Sequence, residues 1–277
     1  MSRFQHPELA DAASIIPSAP ADFDIRVLGT VEELINSYKL RYHVFADVGY
    51  LQHPNSCGLE IDAYDERAVP FGAFDTASGA MVGTLRLITR QPQCHFARLV
   101  REVVEQAADH RLEAQARGAG SKLFPSIASK KIEQALAAYN TDGLPMAELS
   151  RIVVDRNLRG SGVSRRLMEF GIAHASVRGP TLIIGSFLAS TLPMYARYGY
   201  VQLPETNFDY FESVGQVAIA GVCRTDRLPE LTRSHVEELL GRSGAKTAVR
   251  STAPDRSSNK HHDFQGMPGM APGTTGG

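Results

Sequence analysis

The sequence predicts a mixed α/β (α+β) fold, with a mostly antiparallel central sheet flanked by helices and a helical insertion. Three observations carry this. Val69–Phe74 and Met81–Ile88 are strand-like runs separated by Asp75-Thr-Ala-Ser-Gly79, the composition of a hairpin turn. Further along, the β-branched Ile152–Val154, a glycine loop and a helix are followed by an apolar strand, Thr181–Phe187, and a short helix, Ala189–Tyr198, which make one central βαβα unit. Between these units lie two helical stretches, Phe96–Arg117 and Ser126–Tyr139, punctuated by Gly118 and Gly120 and forming an insertion over about 96–140.

The flanking elements follow from local signals. A short strand near Phe23–Leu28 leads into a helix opened by Thr30 and Glu33, which have capping-box spacing. Leu34, Leu40, Val44 and Phe45 read as its apolar face. Later strands lie near Tyr200 and over Val217–Arg224, and Leu231–Leu240 closes the fold as a helix. Residues 1–22 mix Pro, Ala and Ser without periodicity, and 242–277 are rich in Gly, Ser, Thr and Pro. Both are expected to be disordered around one folded domain, 23–241.

Composition narrows the function. Twenty-nine Lys and Arg against 30 Asp and Glu leave a formal charge of −1, which argues against a nucleic-acid partner bound through a general basic face. No apolar run approaches the roughly 20 residues of a membrane span, and no basic then hydrophobic leader opens the chain. Cys57, Cys94 and Cys223 are few and scattered, as reduced thiols in a cytoplasm would be. Neither these nor His43, His53, His95 and His174 have metal-ligand spacing, so no metal is expected.

The chemistry concentrates in Glu148-Leu-Ser-Arg-Ile-Val-Val-Asp-Arg-Asn-Leu-Arg-Gly-Ser-Gly-Val163. Gly160 and Gly162 permit backbone angles that turn several amides outward together, and the helix beginning there adds its positive end. The loop therefore reads as an anion cradle. It lacks the lysine of an ATP-type phosphate loop and the glycine spacing of a dinucleotide fingerprint. A pyrophosphate carrying a pantetheine arm fits. Glu148 begins the strand leading to this cradle, so it can lie beside the thioester that a loop-held donor presents. It is the general-base candidate for removing a proton from an attacking ammonium.

Arg41, Asp62, Asp65, Arg86, Glu148 and Arg151 sit in largely apolar segments, where charges are ordinarily paired, and an ion-pair network of these three arginines and three carboxylates is expected. Such a network either staples the first helix and the 60–65 loop to the sheet or frames a pocket for a zwitterionic acceptor. In the second case Arg86 or Arg151 supplies a bidentate cation for a carboxylate. Arg156, Arg159, Arg165 and Arg166 surround the donor loop, and an acidic carrier protein docking at Arg165 and Arg166 would suit them. No nucleophile elbow appears, so transfer should be direct rather than covalent.

The order strand, glycine turn, helix, strand, and a helix ending in Met194-Tyr-Ala-Arg-Tyr-Gly-Tyr200 resembles the GNAT acyltransferase superfamily. There a Gln/Arg-x-x-Gly-x-Gly/Ala segment grips the donor's pyrophosphate. Asn157-Leu-Arg-Gly-Ser-Gly162 corresponds to it, with Asn157 departing from the usual first residue. The resemblance implies donor contacts along Val153, Val154, Asn157, Arg159, Gly160, Ser161, Gly162 and Val163, and makes Tyr195 the acid that protonates the departing thiolate. Four further segments are more distinctive: Leu40-Arg-Tyr-His-Val-Phe45, Glu60-Ile-Asp-Ala-Tyr-Asp65, Val82-Gly-Thr-Leu-Arg-Leu87 and Glu148-Leu-Ser-Arg151. Their order resembles acyl-homoserine-lactone autoinducer synthases and long-chain N-acyl amino acid synthases, with Arg41, Phe45, Asp62, Asp65, Arg86, Glu148 and Arg151 at the matching positions.

Autoinducer synthases typically carry a Trp shortly after the Phe, whereas this chain has none. The insertion between Leu87 and Glu148 also departs from their compact pattern. The resemblance thus implies an N-acyl amino acid synthase, with an amino acid as acceptor and no permanently bound cofactor. The donor is an acyl-phosphopantetheine thioester, on acyl carrier protein in preference to coenzyme A. An autoinducer synthase and a non-catalytic acyl-binding module are the rival readings.

Overall fold

A computed structural model describes residues 22–51, 54–90, 94–117, 122–211 and 215–250. Its elements run β1 (Phe23–Val27), α1 (Val31–Asp47), β2 (Ala68–Asp75), β3 (Met81–Thr89), α2 (Cys94–Ala107), α3 (His110–Arg117), α4 (Lys130–Tyr139), β4 (Met146–Val154), α5 (Val163–Ser176), β5 (Leu182–Phe187), α6 (Leu192–Ala196), β6 (Val201–Gln202), β7 (Asp209–Phe211), β8 (Gln216–Arg224) and α7 (Glu230–Arg250). The strands form an eight-stranded sheet in the order β1-β2-β3-β4-β5-β8-β6, with β7 paired to β8. Among the described strands only β4 and β5 run parallel and every other pair is antiparallel, as expected. Of the stretches expected to be disordered, 1–21 and 251–277 lie outside the described residues, whereas 242–250 continue helix α7 and correct that expectation.

Local signals explain where elements begin. Thr30 Oγ1 accepts from the Glu33 amide at 3.2 Å and Glu33 Oε2 accepts from the Thr30 amide at 3.2 Å, so the capping box forms. The hairpin turn is held by Asp75 Oδ1, which accepts from the amides of Ala77 and Ser78. Three expectations need correction. The stretch Phe96–Arg117 is two helices, because Ala108 adopts φ 49° and Asp109 then takes the Arg111 and Leu112 amides to start α3. The next helix begins at Lys130 rather than Ser126, where Ser129 accepts from the Ile132 amide. The buried face of α1 is Leu34, Ser37, Tyr38 and Arg41, whereas Leu40, Val44 and Phe45 are only half-buried. A count of apolar residues misses a helix face whose last member is a buried arginine.

Helices cover both faces of the sheet. Val163 and Leu167 of α5 pack where a Cβ on Gly83 would stand, and Gly171 lies so close to Leu85 and Leu149 that a Cβ there would meet each at 2.8 Å. On the opposite side Ser37 of α1 shares a hydrogen bond of 2.7 Å with Thr84 of β3. Farther along, Ile132 and Leu136 of α4 join Phe124, Ile88 and Ile184 in a second apolar cluster. Burying these side chains at about 25 cal/mol per Å² is the main force holding helices to sheet.

Two irregularities open the middle of the sheet. The β4–β5 pairing covers only Met146↔Leu182 to Glu148↔Ile184, although β4 continues to Val154 and β5 to Phe187. Beyond Glu148 the two strands part. On its other edge β4 changes register against β3 between Thr84 and Arg86, with Arg151 in the left-handed region at φ 55°. A non-glycine residue there is strained, and a β-bulge of this kind re-aims the side chains around it.

Candidate active site

Glu148 occupies the point where β4 and β5 separate and is 2% exposed. Its Oε2 accepts from the Ser126 amide at 2.9 Å, a bond supplied by the segment between α3 and α4. Arg67 holds that segment through the Leu123 carbonyl at 3.0 Å, and Phe124 is fully buried beside it. The helical insertion thus covers the carboxyl. Burial pushes the Glu148 pKa up to about 7, against the weaker lowering influences of the Ser126 amide, Arg86 and Arg151.

Those two arginines act weakly on Glu148 because their charges are engaged elsewhere. Arg86, 2% exposed, donates to Asp62 at 2.6 and 2.8 Å and to Ser150 at 3.1 Å, and lies 2.9 Å from Asp65. Arg41 donates to both oxygens of Asp65, at 2.8 and 3.1 Å, and also bonds Glu60. Arg151 donates to Glu60 and Asp62, each at 2.9 Å. Three guanidinium groups therefore face three carboxylates. Burial works to raise the Asp62 and Asp65 pKa values, but the arginines overcome it and hold both below the usual carboxylate range. Burial likewise opposes the charge of Arg41 and Arg86, and the facing carboxylates more than restore it.

The expected substrate contacts divide accordingly. Phe45 and Arg151 line the cavity that contains Glu148, and Arg151 lies 5.5 Å from the Phe45 ring centroid. Arg41, Asp62, Asp65 and Arg86 do not line it. Their hydrogen bonds fasten α1 and the 60–65 loop to the sheet. Glu60 is a full member of the network that the sequence left unassigned, although its spacing to Asp62 was visible.

The cavity measures about 220 Å³ and has mostly apolar walls from Leu85, Leu149, Ile152, Phe187, Tyr195 and Tyr200. A second cavity of about 260 Å³ adjoins it and shares Ile152, Met168 and Tyr195. Val153, Val154, Arg159, Gly160, Gly162 and Val163 line this second space, which brings six of the expected donor residues together. Gly160 and Gly162 have φ of 84° and 91°, and α5 begins at Gly162 with no side-chain cap, leaving its first amides for a ligand. Asn157 and Ser161 belong to the same turn without lining the cavity; the Asn157 amide bonds Asp155 and the Ser161 hydroxyl bonds the Leu158 carbonyl. Arg165 is exposed, while Arg166 is partly engaged with Asp22 and the Phe23 carbonyl.

Tyr195 stands where the two cavities meet, its ring 4.4 Å from that of Phe187. Burial pushes its hydroxyl pKa up to about 12, so it holds its proton at neutral pH. The Phe187 ring itself lies against Gly185 and Gly221, where a Cβ would come within 2.7 and 2.6 Å of it.

Two sequence models of the acetyltransferase (GNAT) domain match the chain, over residues 40–120 and 92–212. Together they span 40–212, or 173 of 277 residues. The chain belongs to the GNAT superfamily. No curated protein matches it. Solved structures similar to it include FeeM, an N-acyl amino acid synthase from uncultured soil microbes, at 16% identity and TM-score 0.47 over 74% of this chain and 94% of that one. Another is BjaI, a CoA-dependent acyl-homoserine lactone synthase, at 18% identity and TM-score 0.48 over 79% and 90%. TofI, in a complex with an inhibitor and MTA, follows at 15% identity and TM-score 0.45 over 78% and 96%. Among the described residues of this GNAT chain, no helix is long and apolar enough to cross a membrane.

Proposed function

We propose that the chain transfers a fatty acyl group from a phosphopantetheine thioester to the α-amino group of an amino acid, releasing an N-acyl amino acid. The observation that carries this reading is Glu148, a buried carboxyl poised near neutrality on the wall of the cavity that adjoins the donor loop's own. An amino acid reaches the site as an ammonium. Glu148 takes one proton from it, the freed nitrogen bonds to the thioester carbon, and the carbon–sulfur bond breaks. Tyr195 protonates the departing sulfur and regains its proton from the acylated nitrogen, directly or through water. Arg151, with two donors engaged and its side chain on the cavity wall, is the cation for the acceptor's carboxylate.

The donor is carried by acyl carrier protein in preference to coenzyme A. Supporting this are the exposed Arg156, Arg159 and Arg165 around the mouth of the donor cavity, an arrangement that suits an acidic partner. Reversing the charges of Arg165 and Arg166 should weaken turnover with acyl carrier protein more than with acyl-CoA. Equal loss with both donors would remove the docking role. The reaction itself is tested by mass spectrometry of products made from acyl-carrier thioester, an amino acid mixture and S-adenosylmethionine. An acylated amino acid is expected; an acyl-homoserine lactone would transfer the chain to the autoinducer-synthase reading.

A further inference from the structure

The cavity containing Glu148 is lined from both faces of the sheet, beside the gap where β4 and β5 part. Successive residues of a strand point to opposite faces. Ile184 packs with Ile132 of α4, so its register partner Glu148 and the next residue but one, Ser186, belong to the insertion face, where the Ser126 amide meets the carboxyl. Leu149 and Phe187 point the other way and join Leu167 and Met168 of α5 in the main apolar cluster. The cavity therefore has two unlike ends. A carboxyl and a hydroxyl mark the insertion face, and leucine and aromatic side chains mark the α5 face, which is also the face of the donor loop.

On the α5 face the Phe187 ring stands against Tyr195 and Tyr200, with centroids 4.4 and 5.0 Å away. It leans over Gly185 and Gly221, which face each other across β5 and β8. A Cβ on either glycine would come within 2.7 or 2.6 Å of the ring, and at Gly185 the three nearest atoms all belong to it. Neither glycine has a positive φ, so the backbone at both would accept any residue. What the pair provides is a recess for one ring, which would otherwise stand in the cavity.

We propose that Phe187, seated on Gly185 and Gly221, sets how much of the donor's acyl chain enters the α5-face end of the cavity and is thus the acyl-length determinant of this protein. The inference rests on the acyl-transfer reading for the chemistry of the donor. Tyr195 stands where the donor cavity meets this one, so a tail leaving a thioester there runs on against Phe187, Leu85 and Leu149, while the acceptor takes the end that holds Glu148. Room is scarce. At about 30 Å³ for each water-sized group, a space of about 220 Å³ holds about seven of them, so one phenyl ring on the wall is a large share of what a tail can use.

The test reads donor binding by the full chain with no acceptor present, so it does not depend on turnover. Dissociation constants of saturated acyl-CoA thioesters, from acetyl to hexadecanoyl, should fall about fourfold for each methylene buried until the tail meets the ring, and then level off. In Phe187→Ala the levelling length should move about four carbons longer, because the whole ring leaves the wall. Phe187→Leu keeps a core side chain, should lengthen it by about two carbons, and reads the same room if the alanine variant does not fold. In Gly185→Ala the added methyl lifts the ring into the cavity; the levelling length should shorten by about two carbons and hexadecanoyl-CoA should bind about tenfold more weakly.

Affinity independent of tail length in the wild-type protein, or one levelling length shared by the wild type and every folded variant, would overturn the inference. Levelling lengths that move as expected, with no amine-dependent thiol release from any of these proteins, would leave Phe187 as the gauge of the acyl chain and sink the transfer reading instead.

Discussion

Replacing Glu148 with Gln should stabilise the protein above neutral pH and give a difference that shrinks toward acid. The carboxyl's ordinary pKa of 4.5 rises to about 7 in the folded state, chiefly through burial. Below about pH 4.5 both folded and unfolded chains hold the proton, and Glu148 contributes no pH dependence. Between there and about pH 7 the unfolded chain ionises while the folded one keeps its proton, so wild-type stability falls as the pH rises. Above the folded pKa both are ionised and the full cost of burying the charge remains. At about 1.4 kcal/mol for each pH unit, the gap corresponds to about 3 kcal/mol. The glutamine amide brings its own constant offset, so the informative quantity is the change in the wild-type-to-variant difference. Urea unfolding of both proteins from about pH 4.5 to about pH 8.5 measures it, because every other titrating group cancels in the comparison. A difference constant across that range would refute the assignment of a buried, near-neutral carboxyl.

Other outcomes follow from particular contacts. Arg41→Met takes from the buried Asp65 its bidentate partner and should cost about 3–5 kcal/mol in denaturant unfolding, whereas a loss under about 1 kcal/mol would show that the network holds without it. Gly171→Val drives a side chain into Leu85 and Leu149 and should cost about 1–3 kcal/mol, seen as a lower Tm. Thr30→Ala removes the acceptor for the Glu33 amide and should cost about 1 kcal/mol, with no change in turnover.

Much of this arrangement was legible in residue order. The hairpin over Val69–Ile88, the Thr30–Glu33 cap and the Gly160–Gly162 loop each rest on local rules about turns, caps and glycine, and each forms as expected. The charged segments also announced a network, because arginines in apolar surroundings need partners. Which partner each takes was not legible. That depends on α1 presenting Arg41 inward and on the 60–65 loop reaching across β3, contacts that join residues 24 to 91 positions apart. Arg86 read as a candidate for substrate, and in the fold its three nitrogens bond Ser150, Asp62 and Asp65. Ser126 was invisible for a different reason. A serine in a helical insertion carries no pattern, and its relation to Glu148 exists only once the insertion closes over the sheet. Strand parting after Glu148 likewise has no local signal, since it comes from β4 changing register against β3 while β5 keeps its register with β8.

The central claim is that a donor held at the glycine loop places its thioester beside Glu148, which deprotonates an amine. Free thiol release from acyl-carrier thioester, followed with and without an amino acid mixture, tests it most directly. Release by the wild-type protein should require the amine and should be nearly abolished in Glu148→Gln, while donor binding by the variant is retained. Donor binding without any amine-dependent release by the wild-type protein, or undiminished release by the variant, would contradict the claim.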